Sequence, residues 1–192
     1  MRDQATPAEA ARPQVRPGER GTVAASPSSS RMLTSYLSDT EQLLDEQRWD
    51  AALREACDLP RIAVALADPR LRSSGEHVQR WCTEWIRPPG AERDAHGLDC
   101  ERLGRGLAER IAALTPPNSV PTHALRRLQL RRHVRILPRG FSAARAGDLP
   151  PRETEVMKMV TALLDATRRW YARSGCHDLT VQANLARLAV LR

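Results

Sequence analysis

The sequence predicts an all-α fold, a bundle of six or seven short helices behind a disordered N-terminal tail, and three observations lead there. From residue 32 onward, apolar residues recur at three- and four-residue steps, the spacing of one helix face. Pro, Gly and capping residues punctuate these runs at helix-length intervals. No apolar/polar alternation bounded by turn residues is strong enough to predict a sheet.

Residues 1–31 are rich in Pro, Ala, Ser, Gly and Arg, end in Ser26-Pro27-Ser28-Ser29-Ser30 and have no apolar period, so they read as a disordered tail. Met32 directly follows and is a second candidate start. A single helical domain is then expected over residues 32–192. Leu33, Tyr36, Leu37, Thr40, Leu43 and Leu44 define its first helix. A second begins near Asp50 and ends before Leu59-Pro60, and Pro60 opens a short third over Ile62–Ala67. Ser73-x-x-Glu76 has capping-box spacing, and Val78, Trp81, Cys82, Trp85 and Ile86 form a stripe behind it that Pro88-Pro89-Gly90 stops.

Leu103, Leu107, Ile111 and Leu114 share one face of a helix over 99–114, closed by Pro116-Pro117. Residues 122–137 fit a helix with apolar residues on two faces or a strand in which Leu128, Leu130, Val134 and Ile136 alternate, with helix preferred. A loop over 140–147 precedes Pro150-Pro151 and the clearest helix, carrying Val156, Met159, Val160, Leu163, Leu164, Thr167, Trp170 and Tyr171, which Ser174-Gly175 ends. Asp178 caps a last helix through Val181, Leu185 and Leu188.

The 192 residues suit one domain, and a 41% hydrophobic content suffices for a core. With aromatics at 4%, that core rests on aliphatic residues and on Trp49, Trp81, Trp85 and Trp170. No run approaches the ~18–20 apolar residues of a membrane-spanning helix. No apolar stretch of ~7–15 residues follows the first basic residue, so no secretory signal is expected and the cytoplasm is the expected compartment. Cys57, Cys82, Cys100 and Cys176 contain no Cys-x-x-Cys pair and read as buried thiols of a reducing compartment.

The net charge of +7 is concentrated rather than spread. Residues 32–69 hold eight acids and three bases, whereas 116–147 hold seven Arg and no acid. Arg127, Arg131, Arg135 and Arg139 are four apart, so a helix there lines up their guanidinium groups, with Arg126 and Arg132 alongside. Such a row suits phosphate oxygens or an acidic protein surface. It equally suits pairing with the chain's own acidic helices, which carry Asp39, Glu41, Asp45, Glu46, Asp50, Glu55 and Asp58. No aromatic precedes Phe141 in the segment, so it lacks a base-stacking platform.

His77, Cys82, His96 and Cys100 have gaps resembling a small zinc module, but Cys82 lies in the apolar stripe and the order of His and Cys is unusual, so no metal is expected. The five His are scattered, and neither a phosphate-binding Gly-rich loop nor Gly-x-Ser-x-Gly nor His-Glu-x-x-His occurs, so no enzyme and no cofactor are expected.

Two short segments resemble known families. Gln47-Arg48-Trp49-Asp50-Ala51-Ala52-Leu53-Arg54-Glu55-Ala56 is similar to the turn and second helix of a tetratricopeptide unit, with Gln47 where that family has Gly. Gln79-Arg80-Trp81 echoes it 32 positions later without the following Ala-Leu, so the resemblance implies a helical hairpin and not an array. Leu149-Pro150-Pro151-Arg152-Glu153-Thr154-Glu155-Val156 is similar to the opening of the LuxR-type helix-turn-helix domain, and Thr180-Val181-Gln182-Ala183-Asn184-Leu185 to the start of its recognition helix. That resemblance implies a helix from Thr180 entering the major groove with Gln182, Asn184 and Arg187, although the family's intervening turn is absent.

The expectation is therefore a non-catalytic helical adaptor or accessory protein of a bacterial cytoplasmic assembly, binding an acidic or helical protein partner. The alternative is a nucleic-acid-binding regulator using the arginine row and a degenerate helix-turn-helix over 149–192. The residues expected to act are Arg126, Arg127, Arg131, Arg132, Arg135 and Arg139, with Trp81 and Trp85 as a partner-binding patch should their face be exposed.

Overall fold

The computed structural model of the protein describes residues 27–86, 100–130 and 151–190. Among them the chain is all-α, with seven helices: α1 (Pro27–Asp45), α2 (Trp49–Ala67), α3 (Gly75–Trp85), α4 (Cys100–Ala113), α5 (Thr122–Leu130), α6 (Pro151–Trp170) and α7 (Leu179–Val190). A π-helical turn, Tyr171–Gly175, continues α6. The β-geometry among the described residues is an isolated bridge between Ser73 and Ser119.

The bundle is organised around α2, which packs against α1, α3, α5, α6 and α7. Its Ala52, Ala56, Leu59, Ile62, Ala63 and Leu66 are all buried, and small residues on its N-terminal half allow close approach of its neighbours. Pro60 lies inside this helix and does not open a new one, which corrects the expected break. A proline in a helix interior costs about 3 kcal/mol. Here the apolar rows run through it unbroken, so burial on both sides of Pro60 holds the two halves as one helix.

α1 starts at Pro27, inside the segment expected to be a tail, and its Met32, Leu33, Tyr36, Leu37 and Leu44 enter the core. Residues 1–26 lie outside the described ones. The N-cap of α3 is Ser74, whose hydroxyl accepts from the His77 amide at 3.3 Å, one residue beyond the expected capping box at Ser73. Ser73 instead exchanges backbone hydrogen bonds with Ser119 at 2.8 and 3.0 Å. Gly75 has a packing reason: a Cβ there would lie 2.7 Å from the Ala112 carbonyl oxygen at the end of α4.

Asp178 caps α7 as expected, its Oδ1 accepting from the amides of Thr180 (2.7 Å) and Val181 (3.2 Å). Residues 122–130 are helical. The remainder of the 122–137 question, the 140–147 loop and the Pro88-Pro89-Gly90 stop fall outside the described residues.

Candidate functional site

Arg126, the first arginine of the basic segment, is exposed on α5. Arg127, the first of the four-residue row, points inward. Its Nη1 lies 2.8 Å from Glu55 Oε1, and its Nη2 donates to Asp58 Oδ2, both on α2. Arg61 stands 3.5 Å from Asp58 Oδ1, donates through Nε to Thr115 Oγ1 at 2.9 Å, and reaches the Leu114 carbonyl at the end of α4. Two guanidinium groups and two carboxylates thus join α2 to α4 and α5. The side chains of Asp58 and Glu55 are only 10% and 15% exposed, so this network is structural and Arg127 is not free for an outside anion. Arg131, Arg132, Arg135 and Arg139 lie outside the described residues.

Trp81 is buried and meets Trp170 edge to face, with ring centroids 6.3 Å apart at 69°. Trp85 is half-buried against the same core, and its carbonyl accepts from Arg169 Nη2 at 3.0 Å, which closes the C-terminus of α3. The condition for a Trp81/Trp85 docking patch is therefore not met: α3 turns this face onto α4 and α6.

α7 does not offer the residues of a recognition helix. Gln182 and Asn184 are buried. Gln182 donates to the Gly175 carbonyl at 2.8 Å, and Asn184 donates to the carbonyls of Leu66 (3.0 Å) and Asp68 (2.8 Å). Both amides are bound to the chain's own backbone, and Arg187 alone of the three expected contacts is exposed.

Of the spacing that resembles zinc ligands, His77 is exposed and Cys82 is buried, while His96 and the Cys100 side chain fall outside the described ones. Burial first, and the neighbouring Cys57 second, push the Cys82 thiol up to about 12. Cys57 is itself raised by burial, against a lowering from Arg61. These are thiols of a packed interior rather than nucleophiles.

One open groove of about 470 Å³ brings together side chains that sequence reasoning did not join. One wall is the α1–α2 turn and the start of α2, with Arg48, Trp49, Asp50 and Arg54; the other is the first turns of α6, with Arg152, Glu153 and Val156. Gln47, at the turn, has φ 58°, a left-handed conformation that glycine adopts more readily than any other residue. Arg48, the N-cap of α2, makes no side-chain capping bond, so the positive end of that helix faces the groove uncapped. Arg54 and Arg152 are exposed and form no ion pair among the described residues, whereas Arg61, Arg127 and Arg168 are each paired with an acid.

Both walls were visible in the sequence as the two family-like segments, but nothing in a 192-residue string places residue 49 beside residue 152. No family model, no curated protein and no solved structure matches this chain.

Proposed function

We propose that the chain is a non-catalytic helical adaptor that holds an acidic segment of a protein partner in the groove between the α1–α2 turn and the start of α6. The observation that carries this reading is the pair of guanidinium groups, Arg54 and Arg152, which line one groove and form no ion pair among the described residues. Guanidinium forks match carboxylates in a bidentate fashion. Exposed pairs of this kind contribute only ~0–1 kcal/mol each, so they select the partner's charge. The half-buried indole of Trp49 and the buried Val156 offer an apolar residue of the same segment something to pack on. Asp50 and Glu153, which also line the groove, disfavour a run of unbroken negative charge and favour a segment of mixed sign.

The test is a crosslinking pull-down from native lysate with the wild-type chain and with R54E/R152E. A partner retained by the first and lost by the second supports the reading. A partner set unchanged by the charge reversal contradicts it.

A further inference from the structure

A second cavity, of about 280 Å³, lies on a different part of the surface, between the turn that follows α2 and the turn between α4 and α5. We propose that it is a binding site for a phosphoryl group, held by the guanidinium groups of Arg70 and Arg72 with His77 and Asn118. Its backbone is firmly built. Leu71 sits in the left-handed region at φ 56° with its side chain buried, which pins the chain between two exposed arginines. Asp68 Oδ1 accepts from the amides of Arg70 (2.7 Å) and Arg72 (3.2 Å), and the Ser73–Ser119 bridge ties this turn to the one that carries Asn118, itself at φ 50°.

The charge balance favours an anion. Asp68 is the one acid that lines the cavity, and its Oδ1 is already engaged by two backbone amides. Neither Arg70 nor Arg72 forms an ion pair among the described residues. Glu76, next to His77 in sequence, is paired with Arg80 at 2.8 Å. The C-terminal carbonyls of α2, whose partial negative charge would repel an anion, accept from Asn184 at Leu66 and Asp68 and from the Asp68 amide at Ala65. Two guanidinium forks, a ring N–H and a side-chain amide suit the several oxygens of a phosphoryl group. The volume falls below the ~300–1,000 Å³ of pockets for drug-sized ligands, so a phosphoryl group on a short carrier fits better than a nucleotide.

The experiment is a ¹⁵N-resolved NMR titration of the full chain with inorganic phosphate and with glycerol 3-phosphate, against sodium chloride at matched ionic strength. Saturable shifts of the amides of residues 70–73 and 118–119 are expected, and the tighter of the two probes identifies free phosphate or a phosphate ester as the source. In R70Q/R72Q binding should weaken by about tenfold or more. Both side chains are exposed, so that variant should keep its thermal midpoint. N118G, which suits the positive φ, provides a second reading with the backbone preserved, and it should also bind more weakly. Linear, unsaturated shifts spread over many arginines, or saturation unchanged in R70Q/R72Q, would overturn the proposal.

Discussion

Asn184 on α7 closes the C-terminus of α2, donating its one side-chain amide nitrogen to the carbonyls of Leu66 at 3.0 Å and Asp68 at 2.8 Å. This bond pair fastens the last helix of the chain to its central one. Asn184→Leu removes both bonds and takes this donor from the Leu66 carbonyl in a region the side chain now shields from water, while the Asp68 carbonyl keeps the Leu71 amide at 2.9 Å. A loss of about 1–3 kcal/mol is expected, measured as a fall in the urea midpoint at constant slope. Ala183→Ser, on the exposed side of the same turn, should change the midpoint little.

Arg127 serves two carboxylates, Glu55 and Asp58, that are largely shielded from water. Arg127→Met leaves both acids without their nearest cation and should destabilise by about 3–5 kcal/mol, the range for breaking one side of a buried pair. The double variant E55Q/R127M should recover a large part of that loss, because the one remaining acid, Asp58, keeps Arg61 at 3.5 Å as its partner. A double-mutant-cycle analysis of chemical unfolding checks both statements.

Cys82 supplies a pH dependence with a definite sign. Its thiol is raised in the folded chain from an ordinary 9.0 to about 12. The unfolded chain therefore releases this proton first, so stability is unaffected below about pH 9 and falls as pH rises from there toward 12. Cys82→Ala should flatten part of that alkaline decline relative to wild type. In a thiol-labelling experiment at neutral pH, Cys82 should stay unmodified until denaturant is added, while the half-exposed Cys176 reacts in the folded state.

Gln47 occupies a left-handed position without being glycine. Gln47→Gly removes a steric cost of about 1–2 kcal/mol and adds unfolded-state entropy of roughly half that, so a net gain of about 0.5–1 kcal/mol in stability is expected. Gln47→Val should move the other way. Thermal melts of the two variants give the comparison.

Most of the fold was legible from apolar spacing, because buried stripes such as Val156, Val160, Leu163 and Leu164 repeat at the helical period whatever they pack against. Pro60 misled because its local preference points to a helix start, while the stripe from Ala52 to Leu66 runs straight through it; the longer-range signal was the better guide. The polar residues were harder to read. Arg127, Gln182 and Asn184 are chemically suited to nucleic acid, and only the tertiary arrangement shows that their donors serve Glu55, Asp58, Gly175, Leu66 and Asp68. The groove at Trp49 depends on two segments about 100 positions apart, and no period or motif encodes that adjacency.

The groove around Trp49 is the proposed seat of a partner's acidic segment. A photo-crosslinking amino acid placed at Ala51 on the groove wall, and separately at the exposed Gln79 on α3, tests it most directly in native cells. A discrete crosslinked protein is expected from Ala51, attached through a segment rich in Asp and Glu, absent from Gln79 and lost in R54E/R152E. Equal capture from both positions, or capture from Ala51 that survives the charge reversal, would contradict it.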